Sequence, residues 1–215
     1  YAPNYIQKDG FSVDGISEIT GIKVVRREQE ESSPVTVRAE GPFTRLGASV
    51  RYGFTPGRKT GAPRDQTFDM RSKGLLETTP LFEVRDDSAQ TCGVYDSDGA
   101  PALARKKLDS YTSIYSAAGN LPSALYRQVA RAAGVHIYYE GSDPTYINSR
   151  LFGIHMQSDT VCEAVLPGDI SGELAELFDG GETTCRNGRF TFARQPGLVR
   201  LFILEKGEFS PVPKG

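Results

Sequence analysis

The sequence predicts an α/β region that runs into a small antiparallel β domain, and hence a chain that is β-rich overall. Three observations carry this. Short apolar runs with a period of two recur along most of the chain. One well-marked helix, over residues 121–133, stands between two such runs. After residue 143 the runs shorten, and Gly, Asn and Pro divide them at regular intervals.

The first ten residues read as an extended segment. Ser12 can cap a short helix, Val13, Ile16 and Ile19 give it an apolar stripe, and Gly21 can end it. Ile22-Lys23-Val24-Val25 then reads as a strand. A charged, Ser-rich connector leads to Pro34, and Val35-Thr36-Val37-Arg38-Ala39 alternates as a strand. Residues 41–74 are rich in Gly, Pro and Arg and predict a long surface loop, with short strands near 50–54 and 68–70. Arg45, Arg51, Arg58, Arg64 and Arg71 in this stretch form either an anion site, with Arg58 and Arg64 as binding candidates, or a solvated face.

Beyond Pro80 the pattern sharpens. Leu81-Phe82-Glu83-Val84-Arg85 and Thr91-Cys92-Gly93-Val94-Tyr95 read as strands, and Ala102-Leu103-Ala104-Arg105-Lys106 as the partner returning from a tight turn at Asp96-Ser97-Asp98-Gly99. Tyr111-Thr112-Ser113-Ile114-Tyr115 is a further strand. Asn120 is expected to cap the next helix, with Pro122 in its first turn, Leu121, Leu125 and Val129 on one face, and Gly134 after its end. Val135-His136-Ile137-Tyr138-Tyr139 follows as a strand. A strand, a helix and a strand with short connections predict a βαβ crossover. The seam between domains is expected near residue 143, giving an α/β region over 1–143 and an antiparallel β-sandwich over 144–215. Strands are expected there at 145–156, 161–166, 174–178, 189–193 and 198–204, with turns at Pro167-Gly168-Asp169, Asp179-Gly180-Gly181, Arg186-Asn187-Gly188 and Gln195-Pro196-Gly197.

Composition narrows the function. Apolar residues make up 38% and charged residues 24%, as in a globular protein. The 25 Lys and Arg against 27 Asp and Glu leave a net charge of −2. With no basic excess to attract phosphates or anionic lipid, neither nucleic acid nor a membrane surface is an expected partner. No apolar run reaches the ~20 residues of a membrane-spanning helix. Tyr1-Ala2-Pro3-Asn4 shows neither an initiator Met nor a signal peptide, so processing, tag removal or a cut from a longer chain is expected.

Catalytic motifs are missing from the sequence. It contains no dinucleotide or phosphate-binding glycine loop, no His-Glu-x-x-His and no Gly-x-Ser-x-Gly. Cys92, Cys162 and Cys185 are far apart, which argues against zinc and favours buried or half-buried thiols over a disulfide. No metal or cofactor is expected. The two histidines, His136 and His155, restrict any nucleophile–base pair. His136 lies on the predicted last strand of the α/β unit, where either ligand binding or a structural hydrogen bond fits. With a nearby carboxylate such as Asp143 it would make an acid–base pair for a small hydrolase. Tyr138, Tyr139 and Tyr146 cluster at the seam, and tyrosines suit both interfaces and core packing.

The seam carries a resemblance. Leu121-Pro122-Ser123-Ala124-Leu125-Tyr126-Arg127, Ala133-Gly134-Val135-His136-Ile137-Tyr138, Tyr146-Ile147-Asn148-Ser149-Arg150-Leu151 and Ile154-His155 together resemble the C-terminal region of large bacterial glycoside hydrolases. These are the family-42 β-galactosidases and related multidomain proteins. The resemblance implies part of a glutamine-amidotransferase-like trimerisation domain followed by a β-sandwich, downstream of a catalytic (β/α)8 barrel. It implies a non-catalytic accessory region whose partners are that barrel or a neighbouring subunit, carbohydrate and further copies of the chain. No catalytic residue carries over. His136, Tyr138, Asp143 and Tyr146 remain as binding candidates, and a stand-alone carbohydrate- or anion-binding module is the alternative.

Overall fold

A computed structural model describes residues 6–7, 10–28, 34–46, 50–53, 81–157, 161–168, 170–178, 180–193 and 195–204. Arg58, Arg64, Arg71 and the strand expected near 68–70 lie outside the described residues. The chain divides into two compact units, Tyr1–Ala132 and Ala133–Gly215. It is β-rich, and every described strand pair is antiparallel.

The first unit opens with a two-stranded ribbon of β1 (Ile6–Gln7) and β2 (Gly10–Phe11). Helix α1 (Val13–Thr20) starts where the Ser12 hydroxyl accepts the Asp14 N–H at 3.1 Å. It ends where Gly21, at φ 66°, donates its N–H to the Ser17 carbonyl. Ile16 is fully buried, but Ile19 is 60% exposed. Steps of three residues drift around a helix of period 3.6, so Ile19 leaves the core face that Ile16 occupies.

Strand β3 (Val24–Arg26) pairs with β6 (Phe82–Val84). A second sheet runs β5-β4-β7-β8-β9, built from β4 (Val35–Val37), β5 (Arg51–Tyr52), β7 (Gln90–Tyr95), β8 (Pro101–Lys107) and β9 (Thr112–Ser116). The hairpin between β7 and β8 turns as the sequence predicts: Gly99 takes φ 74° and the Asp98 carboxylate accepts the Ala100 N–H. The register slips at Cys92, a bulge that lets its buried thiol stay in the core. Ile16, Ile22, Val35, Phe43, Leu103, Tyr95 and Leu125 form that core.

Asp86 ties three segments of this unit together. Its carboxylate accepts from the Lys106 ammonium of β8 at 2.8 Å, from Ser88, and from the Lys23 N–H before β3 at 3.0 Å. The Lys106 bond, then the Ser88 hydroxyl, hold its carboxyl well below the usual carboxylate range, against a small opposing effect of burial.

Helix α2 (Ser123–Ala132) buries Leu125 and Gln128. Its start differs from the expected one. Asn120 sits at φ 57°, a left-handed conformation that an N-cap does not take, and the Pro122 carbonyl accepts the Leu125 N–H at 2.9 Å. Asn tolerates that conformation better than most residues.

The predicted βαβ crossover does not form. Residues 135–138 make no strand, and Tyr139 forms a single antiparallel bridge to Ala164. An alternating apolar run fits any extended segment. Here Val135 and His136 are exposed, whereas a strand in a parallel sheet is buried on both faces.

Among the described residues, the second unit holds three small antiparallel sheets. The first contains β10 (Thr145–Ile147), β11 (Leu151–His155) and β16 (Val199–Ile203) in that order. The others pair β12 (Cys162–Val165) with β15 (Arg189–Phe192), and β13 (Gly172–Ala175) with β14 (Glu182–Cys185). The single strand expected over 145–156 is a hairpin, because the Asn148 side chain accepts the N–H groups of Arg150 and Leu151 and bends the chain. Phe152 of β11 and Phe202 of β16 meet Phe190 of β15 at ring centroids of 5.5 and 5.1 Å, so two sheets interlock through aromatic rings. The turn between β14 and β15 takes φ 50° at Asn187 and 76° at Gly188, the pattern of a type I′ hairpin.

A Cβ on Gly188 would lie 2.6 Å from the Leu166 carbonyl oxygen and 2.8 Å from that of Gly168, whereas one on Gly197, also at positive φ, meets nothing within 4 Å. Gly188→Ala is therefore expected to cost more than ~2 kcal/mol in urea unfolding, and Gly197→Ala ~1 kcal/mol. The Asp86 cluster makes stability depend on pH. A depressed carboxyl stabilises above its unfolded pKa and loses that contribution as pH falls through the folded value. The urea-midpoint gap between wild type and Asp86→Asn should be largest near neutrality and close as pH drops below about 4. A gap unchanged across that range contradicts the assignment.

Candidate functional site

The seam candidates fall in the second unit, and most are engaged in holding backbone. Asp143 is 8% exposed. Its carboxylate accepts the Tyr139 hydroxyl and, at 2.9 Å, the N–H of Gln157, fourteen residues on. The Cys162 thiol donates to the Tyr139 hydroxyl at 3.3 Å. Tyr139 thus links Asp143 to β12, where its own backbone bridges Ala164. A Cβ on Gly141 would overlap the Tyr139 hydroxyl, so glycine at that position leaves room for the tyrosine to reach the carboxylate.

His136 is exposed, and its Nε2 lies 2.7 Å from the Val165 carbonyl oxygen. The Tyr138 ring meets the imidazole edge-on at 4.6 Å. Tyr138 O also accepts the Val165 N–H at 2.8 Å, so imidazole and backbone clamp the end of β12 together. The described hydrogen bonds of His136 and Asp143 go to different partners. Tyr146 stands apart from both networks on the outer face of β10, 70% exposed, opposite Gly153 of β11. Of the five loop arginines, Arg45 and Arg51 are described; both are exposed, and Arg51 pairs with Asp96 on the surface.

No family model matches the sequence, and no curated protein matches it. A solved structure, the β-galactosidase from Bacillus circulans sp. alkalophilus, is similar at 15% identity and a TM-score of 0.47, over 88% of this chain. The chain spans a quarter (25%) of that enzyme's length.

The thiols are buried and free. Burial pushes Cys92 up to about 11 and raises Cys162 and Cys185. Thiols held in that state are poor nucleophiles.

Sequence reasoning missed a charged cluster in the first unit. The side chain of Arg27, 3% exposed, pairs with Glu83 at 3.4 Å and Asp98 at 2.7 Å, and its guanidinium carbon lies 4.2 Å from the centre of the Tyr95 ring. Burial resists ionisation of Asp98, but the Ala100 N–H and Arg27 outweigh it and hold its carboxyl low. The available signal was Glu83 at the centre of an apolar strand. Asp98 was fully explained by its turn, and Arg27 sat in a run of charge.

The Tyr139–Asp143 link yields a test. Tyr139→Phe removes a donor from a buried carboxylate and is expected to lower stability by ~1–3 kcal/mol in chemical unfolding. The cost should shrink sharply when Asp143 is already Asn, since the two side chains share one interaction. Additive losses would show that they do not.

Proposed function

We propose that this chain is a non-catalytic accessory region of a carbohydrate-active protein related to the glycoside hydrolases. The residue pattern running from Leu121 to His155 supports the relationship. One observation carries the accessory role. The two groups in that pattern best suited to acid–base chemistry, His136 and Asp143, are hydrogen-bonded to backbone at Val165 and Gln157. A general acid or base must instead present its proton, or its lone pair, to a substrate atom.

In this reading the chain packs against a catalytic barrel or a neighbouring subunit, in the manner of a trimerisation domain and its β-sandwich, and supports an oligomer. Exposed Tyr146 suits such a contact, since tyrosine brings a broad apolar face and a polar tip.

The purified chain is expected to release no nitrophenol from a panel of nitrophenyl α- and β-glycosides. His136→Ala and Asp143→Asn should give the same background. Turnover that disappears in either variant contradicts the reading and favours a small hydrolase.

A further inference from the structure

The β3–β6 ribbon of the first unit carries a polar cavity of about 560 Å³, within the range of roughly 300–1,000 Å³ common for small-molecule sites. Its lining includes Lys23, Arg26, Arg27, Glu83, Arg85 and Asp98, with Glu28 as a further carboxylate. Two of its three carboxylates are engaged within the protein: Glu83 and Asp98 hold the buried Arg27 guanidinium, and Glu83 also accepts from Arg85 Nε.

That leaves an excess of positive charge. Among the described residues no carboxylate pairs with the Lys23 ammonium or the Arg26 guanidinium, and the Arg85 contact uses its Nε alone. Arg85 is 67% exposed at its side chain, and among the described residues none accepts from its two terminal amino groups.

The strand pairing gives an independent indication. Val24 pairs with Val84, and Arg85 donates its N–H to the Lys23 carbonyl at 2.9 Å, so Lys23 and Arg85 stand opposite each other. Like charges directly opposite across a ladder destabilise it. Such a breach of local rules is expected where a site is built for a ligand. An anion between the two cations would remove the repulsion.

We propose that this cavity binds the carboxylate of a uronic-acid residue in an acidic glycan. A carboxylate can take two N–H bonds from the Arg85 fork and a third from the Lys23 ammonium. The sugar hydroxyls can donate to the oxygens of Glu28, Glu83 and Asp98. Those three carboxylates also disfavour a dianion such as phosphate, which they repel more strongly than a singly charged carboxylate. The sugar part of the assignment rests on the carbohydrate reading above, and the anion part stands on the cavity alone.

Isothermal titration of the whole chain tests it with three probes: a trisaccharide of galacturonic acid, a neutral galactose trisaccharide and inorganic phosphate. The acidic trisaccharide should bind saturably and more weakly as salt is raised. Lys23→Gln and Arg85→Ala should each weaken it about tenfold, the scale of one lost charge-assisted bond. Lys23 is exposed, so Lys23→Gln keeps the test valid if Arg85→Ala unfolds. No binding, equal binding of the neutral sugar or of phosphate, or an unchanged affinity in Lys23→Gln overturns the proposal. The accessory reading is judged separately by the glycoside assay, because loss of this site would not create turnover.

Discussion

A charge removed from water must find its hydrogen bonds inside the protein, and leaving it without them costs several kcal/mol. Asp143 and Arg27 meet this requirement in different ways. Asp143 is surrounded by donors that close a loop of its own unit, from Tyr139 to Gln157. Arg27 draws together carboxylates from β6 and from the β7–β8 turn, over the face of Tyr95. Asp143 ties Tyr139 to the open end of the β10–β11 hairpin, and Arg27 ties the β3–β6 pair to the β7–β8 turn. Breaking such a cluster at one member strands the other charge, which is why these residues matter more to the fold than their number suggests.

Around these ions the architecture is one of short antiparallel pairings closed over two apolar cores. Sheets of two or three strands need a second layer to be stable. In the second unit the phenylalanines of β11, β15 and β16 supply it, with ring contacts that cross between sheets. In the first unit the five-stranded sheet receives Leu125 from α2 and Ile16 from α1 into a common core. The charged ribbon face around Lys23 and Arg85 is the part of this unit where local charge works against local pairing.

Much of this was legible in the residues. The caps of α1, the Asp98-Gly99 and Asn187-Gly188 turns, and the strands that follow Pro80 are set by short-range chemistry, and the sequence displays it. What failed depended on long-range partners. Val135-His136-Ile137-Tyr138 alternates like a strand, but only Val165 and Ala164 decide that it lies along β12 without forming one. Strand β14 was missed because Glu182, Thr183 and Thr184 are polar and only Cys185 turns into the core. The same holds for function: Asp143 was visible as a candidate, whereas its commitment to Gln157 was not, and the Arg27 cluster joins residues up to 71 positions apart.

The ionisable side chains His136 and Asp143 are engaged by backbone, and the Gln157 amide reports on that most directly. It lies after β11, and the bond described for its N–H is to the Asp143 carboxylate. Native-state hydrogen exchange should find this amide protected to nearly the level of the β11 amides, with the protection lost in Asp143→Ala. Exchange at the rate of an open loop in the wild-type chain would contradict the account, because Asp143 would then be free to act on something else.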